Sequence, residues 1–219
     1  MIALDFAPVL AEWPLLVKGA AVTLALTAVS ASVGVVLGVA CAWARLHGSP
    51  WLKAIVGGYV ELIRNTPFIV QLFFIFFGLP GIGLRLSNET ASVLAMVINL
   101  GAYAAEIVRA GIATTPKGQI EAAQSLALSE LQVFTRVVLP PSLRRVWPAL
   151  VSQIIIVMLG SAVCGQISTN ELSYAVNLIH SRNFRAFEAT FVGTGIYLVM
   201  AIALRHLLNW AGPRFVFGR

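Results

Sequence analysis

Residues 19–44 read GAAVTLALTAVSASVGVVLGVACAWA and contain no Asp, Glu, Lys or Arg. Four further stretches share this property, at 65–84, 90–105, 146–170 and 189–204. A helix needs roughly 20 apolar residues to cross the hydrocarbon core of a bilayer. The chain is 58% hydrophobic and 11% charged, whereas a soluble domain of average composition is about one-quarter charged. We therefore predict an all-α integral membrane protein with five transmembrane helices.

The charge-free stretches define a single transmembrane domain over residues 1–219, with spans at about 14–44, 52–79, 90–109, 146–167 and 189–210. The first stretch, MIALDFAPVLAEWP, lacks a basic region and carries two acidic residues, so we expect an uncleaved signal-anchor. Basic residues concentrate after spans one and three and in the C-terminal tail: Arg45, Lys53, Arg109, Lys117, Arg136, Arg144, Arg145, Arg214 and Arg219. This bias predicts that the N-terminus lies outside and the C-terminus in the cytoplasm. It also explains the net charge of +6 without any nucleic-acid partner.

The second span is interrupted by the segment E61-L-I-R-N-T-P67. Pro67 removes a helix hydrogen bond and biases Thr66 away from helical angles. Backbone groups freed in this way, together with the charges of Glu61 and Arg64, must be satisfied inside protein or water rather than in lipid. We therefore predict a broken span whose break faces the protein interior.

In span three, Asn99, Tyr103 and Glu106 fall at spacings of four and three and share one helical face. Asn99 and Tyr103 either hydrogen-bond across the helix bundle or contact a transported ligand, and the sequence leaves both open. Glu106 and Arg109 are expected to form a local ion pair. In span one, the GxxxG motif at 34–38 predicts close helix packing within the same subunit.

Residues 115–140 form a polar segment, which we call the coupling segment, between spans three and four. The Thr115-Pro116 pair predicts a helix start with proline at the first helical position. Residues 129–132 read SELQ, a capping box that predicts a second helix from residue 130, and Leu139-Pro140-Pro141 is expected to end it. Two helices this short are not stable alone in water. They must pack on their own bundle or on another protein.

Several chemistries have no motif in the chain. It lacks the phosphate-binding loop G-x-x-x-x-G-K-[ST], hydrolase and metalloprotease signatures, and any Cys/His cluster. Cys41 and Cys164 lie in apolar runs and are expected to be small packing residues. The residues alone therefore predict a helical transport or channel subunit coupled to a cytoplasmic protein. The alternatives are a stand-alone secondary carrier and a non-transporting membrane scaffold.

Three segments resemble one family. Residues 118–129, GQIEAAQSLALS, resemble the cytoplasmic EAA loop of permease subunits in bacterial ABC importers. The segment 61–67 with Gln71 and F77-G-L-P80, and the segment A102-Y-A-A-E-I-V-R109, are similar to motifs of the branch that imports polar amino acids (histidine, glutamine, glutamate, arginine and opines). The three occur in the family's order, and the likeness covers nearly the whole chain.

The resemblance implies a type I ABC importer permease fold in the bacterial inner membrane and alternating-access transport. It implies an ATPase dimer that binds ATP and magnesium, a second permease chain and a periplasmic amino-acid-binding protein as partners, with no cofactor on this chain. Residues carried over to the ATPase contact are Gly118, Glu121, Ala122, Ala123 and Ala127. Candidates for the substrate pathway are Asn99, Tyr103, Ser161, Gln166 and Glu171. Arg182 and Arg185, which break the positive-inside pattern, either pair with acidic groups of the binding protein or are solvated surface charges.

The sequence departs from the family's pattern at two places. Ala127 stands where the family has a glycine after the EAA helix; either the turn is rebuilt or the first helix runs further. Late in span four the family often has a Lys-polar-Ser/Thr-Ser-Leu stretch, and this chain reads L159-G-S-A-V163. The resemblance implies pairing either with a second copy of this chain or with a similar second permease, and the divergence favours a heterodimer in which the other permease keeps the fuller motif.

Overall fold

The chain is built from helices that follow one another with short connections. The computed structural model describes residues 4–216, and no β-strand occurs among them. Residues 1–3 of the N-terminal stretch and Arg219 of the basic tail lie outside the described residues. The helices are α1 (Ala7–Ala11), α2 (Trp13–His47), α3 (Pro50–Arg64), α4 (Phe68–Ile82), α5 (Asn88–Ala113), α6 (Lys117–Ser125), α7 (Glu130–Ile167), α8 (Leu172–Asn183) and α9 (Ala186–Ala211).

Within residues 4–216, four helices are long and apolar enough to cross a membrane, and a bent pair of helices counted as one span makes five. Helices α2, α5, α7 and α9 meet this criterion individually, and α3 and α4 meet it as a pair bent by 112° at the break between them. The all-α class and the broken second element follow the sequence prediction. The helix ends lie a few residues outside the predicted spans, except that α7 begins at Glu130 rather than near residue 146.

The prediction that Leu139-Pro140-Pro141 ends a helix is wrong. Residues Val133–Val138 form a π turn, and the α-helical hydrogen bonding resumes at Leu139 and runs to Gly160. The two prolines therefore occupy the first turn of the resumed α-helix. A first-turn residue needs no intrahelical acceptor for its N–H, so proline is tolerated there. The second half of the coupling segment is consequently the beginning of the fourth membrane helix.

The centre of the bundle is the contact between α2 and α5. A Cβ added at Gly38 would lie 2.5 Å from the Cβ of Ala104, and one added at Gly34 would lie 3.0 Å from Leu100. Only glycine allows the two backbones to approach this closely. The structure confirms that the GxxxG motif packs helices within the same subunit. Both cysteines are free and buried, as predicted.

At the end of the bundle opposite the coupling segment, Arg182 and Arg185 pair with acidic residues of their own chain. Arg182 lies 3.8 Å from Glu12, and Arg185 lies 3.3 Å from Asp5 and 3.1 Å from Glu188. Both arginines thus have acidic partners within the chain and remain partly exposed, and their pairing with a binding protein stays a prediction. The ion pairs connect the residues on either side of α1, Asp5 and Glu12, to the corner between α8 and α9.

Candidate functional site

The coupling segment packs one face on the bundle and leaves the other in solvent. Ala123 of α6 is only 5% exposed and packs in a cluster with Val133, Phe134 and Val108. The coupling segment is therefore stabilised by its own chain, which covers its apolar face. Ala123 differs from the other residues assigned to the ATPase contact, since its side chain points into this core.

The exposed face of the segment carries the remaining candidates: Gly118, Glu121, Ala122 and Ala127. A Cβ added at Gly118 would meet no atom within 4 Å, so the surface above it is open. Two large apolar side chains accompany these residues, Leu126 at 77% and Leu131 at 58% exposed. Small residues, one carboxylate and two leucines thus form a shallow accessible face, which we call the coupling surface.

Helix α6 starts and stops differently from the sequence prediction. Pro116 has extended backbone angles and is the N-cap, so the first helical residue is Lys117 rather than Pro116. At the other end Leu126 caps the helix, and Ala127 adopts φ +56°. Its N–H donates to the carbonyl of Gln124 at 2.9 Å. The helix is therefore not extended and the turn is not rebuilt; alanine occupies a left-handed position that favours glycine.

The second helix of the segment begins as predicted. The Ser129 hydroxyl accepts the Gln132 N–H at 3.4 Å, and the Gln132 side-chain oxygen accepts the Ser129 N–H at 2.8 Å. These reciprocal bonds are the predicted capping box. They fix the turn between Ala127 and α7, and with it the position of the coupling surface.

The break in the second span is closed by a glutamine. Gln71 is buried, and its amide nitrogen donates to the carbonyls of Ile63 at 2.8 Å and Thr66 at 3.0 Å. Its side-chain oxygen accepts from Asn99 of α5 at 2.9 Å. The carbonyls that Pro67 leaves without helical donors are thereby satisfied inside the protein, as the bilayer requires.

Asn99 has a hydrogen bond across the bundle and also faces a cavity. Asn99 hydrogen-bonds across the bundle, and it also lines a cavity of about 140 Å³ with Phe68, Ile156, Val157, Gly160 and Val163. The cavity lies between the α3–α4 break, α5 and α7. It is mostly apolar, and Asn99 is the polar side chain on its wall.

The polar face of α5 continues toward the coupling segment. The Arg64 guanidinium lies 5.6 Å above the ring of Tyr103, and Glu106 pairs with Arg109 as predicted. Arg45 of α2 donates to the same carboxylate at 2.9 Å. Sequence spacing found the Glu106–Arg109 contact because both lie on one helix; it missed Arg45, since nothing local relates residues 45 and 106.

The other pathway candidates are not brought together. Ser161 is buried and donates to the carbonyl of Met158, while Gln166 is exposed. Glu171 is fully buried as the N-cap of α8 and accepts hydrogen bonds from the backbone N–H groups of Ser173 and Tyr174 and from the Tyr197 hydroxyl. Burial raises the pKa of the Glu171 carboxyl, and these bonds oppose the rise. Glu171 thus holds the start of α8 in place.

These features define a class: a multi-span helical membrane subunit with a solvent-facing coupling surface and a cavity at a broken span. Residues 34–216 match the family described as "Binding-protein-dependent transport system inner membrane component". The chain belongs to this family of inner-membrane transport subunits, which are not enzymes.

The comparisons with individual proteins agree with that assignment. The chain is 34% identical over 207 residues to the glutamine transport system permease protein GlnP of Escherichia coli K12, covering 94% of each chain. It is 29% identical over 224 residues to the nopaline transport system permease protein NocM of Agrobacterium fabrum, covering 96% of this chain and 93% of NocM. A crystal structure of an amino acid ABC transporter with histidines superposes with TM-score 0.86 at 33% identity, covering 95% of this chain and 98% of that one.

Proposed function

We propose that the chain is the membrane-spanning subunit of an ATP-driven importer for polar amino acids or close relatives such as opines. The proposal rests on the family and on relatives whose names specify glutamine and nopaline transport. In it, the N-terminus is outside and the C-terminus in the cytoplasm, and the single domain works beside a second permease chain. A binding protein delivers the solute, and ATP with magnesium is bound by a separate ATPase dimer.

The coupling surface is the docking site for the ATPase in this proposal. The observation that carries it is the accessibility of Gly118, Glu121 and Ala122 on a segment whose opposite face is fixed to the bundle. Small side chains permit close backbone approach, and the Glu121 carboxylate is available to a cationic or amide donor. Ala123 contributes by anchoring α6 rather than by touching the partner.

The substrate route passes the cavity beside Asn99. The hydrogen bond between Gln71 and Asn99 fixes the wall of the cavity. Tyr103 and Arg64 extend a polar path from there toward the end of the bundle that carries the coupling segment. The second-span motif, including Glu61, Thr66 and Pro67, supports the break that opens this path. Ser161 and Glu171 support helix ends and do not line the cavity.

Charge reversal at Glu121 tests the docking proposal. The chain is reconstituted with its ATPase and binding protein, and solute uptake is measured together with co-purification of the ATPase. We expect Glu121→Arg to reduce both roughly tenfold, because one charge-assisted contact contributes about 1.5–3 kcal/mol. The matched control is Glu89→Arg, an exposed carboxylate in the first turn of α5 at the opposite end of the bundle. Wild-type uptake and assembly in Glu121→Arg would exclude the docking role.

A further inference from the structure

A second cavity lies on the outside of the bundle, between α7 and α9. It has a volume of about 230 Å³ and is lined by Pro148, Val151 and Ser152 of α7 and by Arg205 and Asn209 of α9. Arg205 and Asn209 are four residues apart and therefore face the same groove. We call it the α7–α9 groove. It is separate from the cavity beside Asn99, with which it shares no lining residue.

Arg205 is the charged group of this groove, and its position is unusual. It directly follows the charge-free stretch 189–204, and it enters none of the ion pairs found among residues 4–216. A cation within a membrane-spanning helix must find a counter-charge or reach water. The side chain is exposed, so the chain itself leaves the guanidinium open to an external anion.

The depth of the groove is marked by tryptophans. Trp147, one residue before Pro148, donates its indole N–H to the carbonyl of Leu208 at 3.2 Å. Trp210 carries Arg214 over its ring at 4.5 Å. Tryptophan is enriched at the boundary between head groups and hydrocarbon. This enrichment favours a groove that opens at the level of the lipid phosphates, at the end of the bundle that carries the coupling segment.

The surface around the groove fits the rest of a lipid. Exposed apolar side chains continue from it toward the middle of α9, namely Ile202, Val199 and Leu198. A guanidinium can bind a phosphate through two parallel hydrogen bonds, and the Asn209 amide can donate a further one. Basic pockets between membrane helices are known to bind anionic head groups.

We propose that the α7–α9 groove binds the phosphate of an anionic phospholipid, with Arg205 as the charged contact and Asn209 as the amide donor. The acyl chains lie along the exposed apolar surface of α9. The lipid joins the fourth and fifth membrane helices at the level of the Trp147–Leu208 bond. This site is independent of the solute that the importer carries.

The test titrates the detergent-solubilised intact importer with short-chain phosphatidylglycerol, phosphatidylcholine or inorganic phosphate and measures binding by native mass spectrometry. We expect phosphatidylglycerol to bind more tightly than the other two. Arg205→Gln should weaken its binding roughly tenfold, since it removes a charge-assisted contact. Arg136→Gln, which removes an exposed charge of the coupling segment, should leave it unchanged.

Asn209→Leu provides a variant that fills the groove without changing net charge, and it should also weaken phosphatidylglycerol binding. Equal losses in Arg205→Gln and Arg136→Gln would mean general charge attraction and would overturn the proposal. So would equal affinity for phosphatidylglycerol and phosphatidylcholine, or competition by inorganic phosphate at the same concentration. Efficient disulfide formation between two copies carrying Asn209→Cys would instead assign the groove to a protein interface.

Discussion

The left-handed alanine in the coupling segment should be a stability defect that one substitution corrects. Ala127 has φ +56° at the C-terminal end of α6. An L-residue with a Cβ pays about 1–2 kcal/mol for this conformation, and glycine does not. Glycine in turn loses more backbone entropy on ordering, about 0.5–1 kcal/mol relative to alanine. We therefore expect Ala127→Gly to stabilise the turn by about 0.5–1 kcal/mol.

Leu126→Gly is the matched control one residue earlier. Leu126 has φ −86° and ψ 14°, which any L-residue adopts, and its side chain is 77% exposed. Removing that side chain loses little burial, so the entropy of glycine dominates. The control should destabilise the same turn by about 0.5–1 kcal/mol. The two glycine substitutions are thus expected to act in opposite directions.

Hydrogen exchange of the purified chain, without the ATPase, measures both effects where they arise. The Ala127 N–H, bonded to the Gln124 carbonyl, and its neighbours in α6 report the local opening equilibrium. Ala127→Gly should slow their exchange about two- to fivefold, and Leu126→Gly should accelerate it by a similar factor. If both variants exchange faster than the wild type, Ala127 is not in a left-handed turn in the chain, and the reasoning fails.

Two further predictions concern packing and polar satisfaction, and both are read from the thermal stability of the purified chain. Gly38→Ala should destabilise it by about 1–3 kcal/mol, because the added Cβ meets Ala104 at 2.5 Å; Gly57→Ala, which meets no atom within 4 Å, should be neutral or stabilising. Gln71→Leu should cost about 1–3 kcal/mol, because it removes the donor to two buried carbonyls. A loss no larger than that of the exposed Gln119→Leu would refute the structural role of Gln71.

The sequence predicted the features that depend on neighbouring residues. Charge-free stretches gave the crossing elements, Pro67 gave the broken span, and the spacing of Ser129 and Gln132 gave the capping box. Each of these signals arises within a few residues of the chain, where helix geometry and backbone chemistry leave few choices. The GxxxG contact is also predictable from the sequence, because a close approach of helices at Gly38 needs only a small residue opposite, and that residue is Ala104.

The sequence could not predict contacts that depend on distant parts of the chain. Gln71 belongs to the second-span motif of the sequence, but its hydrogen-bonding role depends on carbonyls at the end of α3 and on Asn99 of α5. The ion pairs of Arg182 and Arg185 depend on the N-terminal residues Asp5 and Glu12. In each case the partner is fixed by how the helices pack, and no local pattern records it.

The error at Pro140 is the most informative, because it changes how the coupling segment is connected to the bundle. A π turn at Val133–Val138 places Pro140 in a first turn, and α7 therefore runs without a stop from Glu130 to Ile167. The same helix begins beside the coupling surface and later forms one wall of the cavity, through Ile156 to Val163. Small shifts and shear of packed helices are among the movements by which proteins switch between states. We therefore expect a displacement at the coupling surface to reach the cavity wall through this helix, which contains no loop between the two places but does contain the π turn and Pro148, where it can bend.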